Sequence, residues 1–317
     1  MPAQNWDPRS SMNEKYRVPI SIGVPVLNGE NYLALMLESL LSQSFADFEL
    51  IVSDNASTDR TESICREYAA RDRRIRYIRN DTNKGAAWNF NNTFHNANGK
   101  YFKWAAHDDL HGDSFLEACY NHLESNQECV LCFTGTQFID ATGNNLGNYQ
   151  YPIDIGSASR SRRLLHFASC GHIVHEIFGL IRRDILEQTS LIRGFVGSDV
   201  TLLAQLALFG PFYQVPEPLF FHREHDARSV KAMGTGTQFA AWFDPRNTGQ
   251  YVFPAWRRLR ENVGDVLAHP MGMGEKAKCL KEVARAGYWR RGPLLREILS
   301  AARIFLRSAT SRPGANR

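Results

Sequence analysis

VPISIGVPVLNGENYLALMLESLLSQSFADFELIVSD, residues Val18–Asp54, is the stretch whose reading decides the fold. Its first segment, Val18–Val26, is β-rich and nearly all apolar, the pattern of a strand buried on both faces. Leu33, Met36, Leu37, Leu40 and Leu41 then recur at helical spacing. Phe48–Asp54 (FELIVSD) reads as a strand again. Strand, helix and strand in so short a run form a βαβ unit, which needs a parallel sheet.

The cycle repeats outward from this unit. Thr58–Ala70 reads as a helix capped by Ser57 or Thr58, RIRYIRN (Arg74–Asn80) as a third strand, and Ala86–Asn96 as a third helix. Lys100–Ala106 is a fourth strand that ends at His107-Asp108-Asp109. The alternation predicts an α/β fold, a mostly parallel central sheet with helices on both faces. A helix is expected from Ser114, with Asp113 or Ser114 as cap, and a strand over Cys129–Ile139. Residues 143–161 lack periodicity and are expected to loop over a ligand cleft. A strand at Ile177–Ile181, a helix at Val200–Leu208 and short strands at Phe212–Val215 and Leu219–His222 follow. Gly234, Gly236, Pro245 and Gly249 predict a mobile segment over 231–250, and from Tyr251 the chain reads as helical. The organisation expected is a flexible arm (1–16), a catalytic domain (17–230) and a mobile segment with a helical C-terminal extension (231–317). The domain divides into halves 17–112 and 113–230.

Composition narrows the function classes. A net charge of +4 on 317 residues is too mild to argue for nucleic acid. Six cysteines without dense spacing do not describe a disulfide scaffold. No signal-peptide pattern and no apolar run of roughly 18 residues is present. A reducing, cytoplasmic setting is the expectation. Arginines gather near the C-terminus, and Pro293–Arg307 places Leu295, Ile298, Leu299, Ala302, Phe305 and Leu306 on one side. Such a helix either lies on the inner face of a membrane or packs on the domain.

Ligands of open parallel α/β sheets sit beyond the carboxyl ends of the strands. Asn28 and Glu30 follow strand one there, Asp54 and Asn55 strand two, and Asp108 and Asp109 strand four. Adjacent carboxylates after an apolar strand either raise one another's pKa or bind a divalent cation, and Mg²⁺ and Mn²⁺ favour oxygen ligands. A solvated turn is the alternative for Asp108-Asp109, and a helix cap for Asp54. Neither G-x-G-x-x-G nor a P-loop occurs, which argues against dinucleotide and P-loop enzymes. Lys84 is placed to reach a phosphate or solvent. Cys129-x-x-Cys132, with Cys170, His172 and His175 downstream, has zinc-like spacing, but its position in a buried strand favours core packing. Trp242-Phe243-Asp244 suits a lid stacking on a ligand or an anchor for the C-terminal helices.

The stretch from Val18 to Thr61, NDTNKGAAWNFNNTF (Asn80–Phe94) and KYFKWAAHDDL (Lys100–Leu110) together resemble family 2 glycosyltransferases, over roughly residues 18–225. That family implies the GT-A (nucleotide-diphospho-sugar transferase) fold and an inverting, metal-dependent transfer from a nucleoside-diphosphate sugar. By the resemblance, Pro25, Asn28 and Glu30 line the nucleotide pocket and Asp54 meets the base. Asn83, Gly85 and Asn89 lie beside the diphosphate and donor sugar. Asp108 and Asp109 stand in the D-x-D motif, with Asp109 the direct ligand of Mn²⁺ or Mg²⁺. His107 departs from the acid usual there. VGSDVTLLAQLALFG (Val196–Gly210) resembles the family's acidic motif and puts Asp199 in the position of the base, with Ser198 in place of the common Glu. Read alone, Ser198 or Asp199 is a helix N-cap. In FHREH (Phe221–His225), His225 fits the register of a metal-completing His, and Arg223 is a candidate for phosphate. The implied partners are a nucleoside-diphosphate sugar and a glycan or lipid-linked acceptor. The rivals are a nucleotidyltransferase, disfavoured by the first loop, and a nucleotide- or glycan-binding protein of this fold without transferase activity.

Overall fold

The computed structural model describes residues 16–150, 155–226 and 236–310, with side chains to residue 303. The expected arm (1–15 of it), residues 151–154 of the expected loop and 231–235 of the expected mobile segment lie outside the described residues.

The opening unit forms as its pattern dictates. β1 (Val18–Val26), α1 (Leu33–Leu41) and β2 (Phe48–Asp54) are followed by α2 (Thr61–Arg71), β3 (Ile75–Arg79), α3 (Ala86–His95) and β4 (Gly99–Trp104). β1 pairs with β2 and β4, and β2 with β3, all parallel. Side chains alternate across these strands. Ile20, Ile22, Leu50, Val52 and Tyr101 pack with Leu33 and Leu37 of α1, whereas Ile51, Phe102 and Trp104 face the opposite layer with Phe94. Gly23 lets α3 approach β1, since a Cβ there would meet the Thr93 hydroxyl at 2.3 Å.

The second half departs from the parallel plan. β5 (Leu110–His111), α4 (Phe115–Ser125), β6 (Leu131–Ile139), β7 (Asn145–Tyr149), α5 (Arg160–Ala168), a 3-10 turn (His175–Phe178), β8 (Leu180–Arg182), α6 (Arg183–Leu186), α7 (Ser198–Leu206) and β9 (Phe212–Arg223) follow in order. The sheet runs β3-β2-β1-β4-β8-β6-β9-β5, with β7 on β6. β8 is antiparallel to both β4 and β6, while β6 and β9 are parallel.

Several boundaries move for physical reasons. α2 begins three residues later than expected, because Ser57 and Thr58 bond to the β1–α1 loop and the Asp59 carboxylate accepts from Thr61 N–H instead. The two short strands expected at 212–222 are one strand, whose register slips against β6 around Gly135, opposite the Pro216 and Pro218 region. β7 falls inside the expected loop. It is exposed and bonded mainly through its backbone to β6, so it carries no apolar alternation.

Beyond β9, residues 236–243 of the expected mobile segment form helix α8 (Gly236–Phe243). α9 (Pro254–Ala268), α10 (Met273–Trp289) and α11 (Arg291–Thr310) complete the chain. Val266, Cys279 and Val283 of these helices share one core with Phe167 of α5 and Leu203 of α7. No described helix is long and apolar enough to cross a membrane.

Candidate functional site

The carboxyl ends of β1, β2 and β4 open into a cleft of about 560 Å³. Pro25, Asn28, Asn83, Asn89, Asp108 and Asp109 line it from the sheet and its loops, and Asp199, His175, Phe239 and Trp242 line it from later elements. His225 lies against Tyr32 in the same wall, ring centroids 4.8 Å apart.

The backbone at the sheet side is shaped by unusual conformations. Asn28 is left-handed (φ 53°), which Asn tolerates, and its side chain accepts from Thr58 N–H at 2.9 Å. Asn55 ties two loops together: its amide donates to Asn83 Oδ1 at 2.8 Å, and its carbonyl accepts from Lys84 N–H at 3.0 Å. Gly85 opens α3 at φ +87°, where a Cβ would stand 2.6 Å from Pro245 and 2.8 Å from the Phe243 carbonyl. Asn89 is buried and bridges Ser53 and the Val26 carbonyl.

Asp108 and Asp109 follow β4 and take different partners. Asp109 is buried; its Oδ1 accepts from Arg223 N–H at 2.9 Å, and its Oδ2 lies 3.4 Å from His222 Nδ1. Asp108 Oδ2 meets His225 Nε2 at 2.9 Å. Burial works to raise the Asp108 carboxyl, but the His225 hydrogen bond and the charges of His107 and His225 outweigh it and hold it at about 2. Asp108 and His225 together supply an oxygen and a nitrogen donor of the kinds Mn²⁺ or Mg²⁺ takes, whereas the Asp109 carboxylate is engaged by Arg223 N–H and lies beside His222.

Asp199 is half-buried in the first turn of α7, and its Oδ1 accepts from Val200 N–H at 2.8 Å. Burial pushes its carboxyl up, against the pull of that bond and of the Arg258 charge.

Some expected residues do not reach the cleft. Asp54 is fully buried, and both oxygens are engaged by Ser57 N–H, the Tyr77 hydroxyl and Arg79 Nη1, at 2.7–2.8 Å. These bonds hold the loop after β2. Glu30 turns outward to Arg60, 3.3 Å away. Arg223 is buried, with Nε and Nη1 donating to the Asp108, Asp140 and Ala141 carbonyls and its guanidinium over Tyr32. Lys84 lies over the Trp88 ring. Cys129 and Cys132 are core residues; burial and the neighbouring Cys132 push up the Cys129 thiol, and a hydrogen bond with Cys119 together with burial pushes up that of Cys132. Tyr32, His175, Phe239 and Arg258 belong to the site or its support without any sequence signal that marks them.

A twisted α/β sheet with a strand-end cleft of this kind defines the GT-A class of nucleotide-diphospho-sugar transferase folds. The structure of TarS residues 1–349 of S. aureus, solved with UDP-GlcNAc, superposes with a TM-score of 0.62 at 16% identity, over 85% of this chain and 72% of that one. The chain belongs to glycosyl transferase family 2, whose family model matches residues 21–189. An uncharacterised glycosyltransferase of Methanocaldococcus jannaschii is 34% identical over 122 residues, 38% of this chain and 42% of that protein. Glycosyltransferase GlyA of Streptococcus pneumoniae is 33% identical over 124 residues, 39% of this chain and 18% of that protein. The matched region thus spans less than half the length of these relatives.

Proposed function

We propose that this protein transfers a sugar from a nucleoside-diphosphate donor to an acceptor hydroxyl with inversion, with Asp199 as the base. The observation that carries this reading is one cleft lined both by the Asp108–His225 carboxylate–imidazole pair and by a separate carboxylate, Asp199 of α7. Inversion needs that separation, because the acceptor oxygen attacks the anomeric carbon from the face opposite the leaving diphosphate. Asp108, Asp109 and His225 would hold a divalent metal, with Asp108 bearing more of the contact than its place in the motif suggests. When bound, the ion neutralises charge that develops on the departing diphosphate. Asn28, Asn83 and Asn89 shape the donor side, and Asn55 and Gly85 set their backbone. Asp54 supports this wall from behind. Asp199, raised by burial, takes the proton from the acceptor hydroxyl. Phe239 and Trp242, whose rings stack 5.6 Å apart, offer an apolar face to an acceptor sugar.

The acceptor is expected to be a glycan or lipid-linked chain. α11 buries Leu294 but leaves Leu295, Ile298 and Leu299 about half exposed beside Arg291 and Arg296, which favours a membrane surface near the site.

Thermal shift with UDP and GDP, with and without Mn²⁺, tests the donor half of the reading. Asp199→Asn tests the chemistry: transfer should fall by about 10²–10⁴-fold while nucleotide binding persists. Equal turnover by Asp199→Asn and the parent protein, or nucleotide shifts indifferent to metal, would defeat the scheme.

A further inference from the structure

A second group of metal-binding side chains lies outside the donor site, where α5 turns towards the cleft wall. His166 stands in the last turn of α5, His172 in the following loop, and Glu176 in the 3-10 turn at His175–Phe178. One ligand atom from each of His166, His172 and Glu176 lies within 4.8 Å of the others. Glu176 is 2% exposed, and among the described residues neither of its oxygens has a hydrogen-bond partner. His172 Nε2 stands 3.6 Å from Oε1, an ion-pair distance but longer than a hydrogen bond. Cys170 Sγ stands 3.7 Å from the same Nε2 and 3.2 Å from Nδ1. Arg290 bonds the Cys170 carbonyl and pins the loop that carries these groups.

These spacings have a chemical meaning. Ligand atoms of a four-coordinate zinc ion, with bonds near 2.0–2.3 Å, lie about 3.3–3.8 Å apart. The His172–Glu176 and His172–Cys170 separations already fall in that range. A ring nitrogen of His166 lies within 4.8 Å of the His172 and Glu176 ligand atoms. Imidazole, carboxylate and thiolate are the ligands zinc takes, whereas the oxygen-rich donor site suits Mn²⁺ or Mg²⁺.

We propose that His166, His172 and Glu176, with Cys170 beside them, form a structural zinc site distinct from the donor site. Zinc there answers the buried Glu176 charge and fastens the end of α5 to the 3-10 turn. The same segment presents Val174, His175, Ile177 and Phe178 to the cleft, so the ion sets the wall opposite the donor loops. Asp199 stands on that side.

The test is metal analysis of the full chain, produced with zinc and dialysed against excess Mg²⁺, which competes for oxygen sites but not for these ligands. The parent protein should retain one zinc per chain, as should Asp108→Asn; His172→Ala and Glu176→Gln should retain at least tenfold less. Because those variants risk misfolding, cobalt(II) is titrated into the parent protein as well. Intense tetrahedral visible bands are expected, with a thiolate charge-transfer band that Cys170→Ser loses. Zinc-free parent protein with a weak octahedral cobalt spectrum would overturn the proposal and leave His172 and Glu176 an ordinary ion pair. Zinc kept by His172→Ala but lost by Asp108→Asn would overturn it too, by placing the ion at the donor site.

Discussion

In its proposed role as base, Asp199 would gain basicity from the same burial that limits the pH at which it could work. Its carboxyl is pushed up by desolvation and drawn back by the nearby Arg258 cation. Transfer requires the carboxylate, so activity falls as pH drops through this raised value. Removing the cation removes the pull. Arg258→Met should therefore move the acid limb of kcat/KM to higher pH, read from a pH–rate profile over pH 5–8; an unmoved limb would take Arg258 out of the electrostatics of the site. Asp54 makes the contrasting case. Its carboxylate accepts from Ser57, Tyr77 and Arg79, and Asp54→Ala strands a buried N–H and hydroxyl. A loss of about 2–3 kcal/mol in urea unfolding is expected. Asp54 and Asp108 look alike in sequence, each an acid at a strand end. Only the neighbours separate them: an arginine one strand over occupies Asp54, while a histidine more than a hundred residues downstream meets Asp108.

At the scale of elements, the donor loop and the C-terminal segment are joined at Gly85. It needs both its left-handed φ and its missing Cβ, because Pro245 and the Phe243 carbonyl crowd that space. Gly85→Ala should cost about 1–3 kcal/mol and push α8 away from the cleft. The donor KM should rise together with that for the acceptor, since α8 carries Phe239 and Trp242; a change in neither would uncouple the segment from the site. α11 makes a separate prediction. Glu297 accepts from Ala255 N–H at 2.7 Å, and Trp256 Nε1 donates to the Leu294 carbonyl at 3.1 Å, so one face of the helix is docked. The other face presents Leu295, Ile298 and Leu299. Co-sedimentation with anionic phospholipid vesicles should be strong for the parent protein and fall several-fold in Leu295→Ser/Leu299→Ser, with activity on a soluble acceptor unchanged. Equal sedimentation would leave this face without a membrane role.

For the molecule as a whole, the core contains an ionisable group that folding must keep neutral at high cost. Lys103 on β4 is fully buried, its Nζ 2.8 Å from His111 Nε2 and 3.1 Å from the Trp104 carbonyl, and burial drives its ammonium down to about 7. The unfolded chain holds the Lys103 proton up to about pH 10.5, so the folded state binds fewer protons between those values. The Lys103 penalty is full below pH 7 and fades as pH rises. Lys103→Met should accordingly raise Tm most near pH 6.5 and progressively less towards pH 9.5; a constant difference would mean the amine is not titrating with folding. The sequence alone determined the parallel half of the fold, β1 to β4 with their helices, because burial on both strand faces and 3.6-residue periodicity are local signals. It also determined the cleft edge, since the ends of those strands must converge. Tertiary structure alone decided the rest. It made half the sheet mixed and recruited β7 by backbone bonding without an apolar pattern. It turned Asp54, Glu30 and Arg223 away from the cleft and brought His225 to Asp108. Those outcomes depend on which charged and aromatic groups meet across long sequence separations, and such meetings leave no periodic trace in the chain.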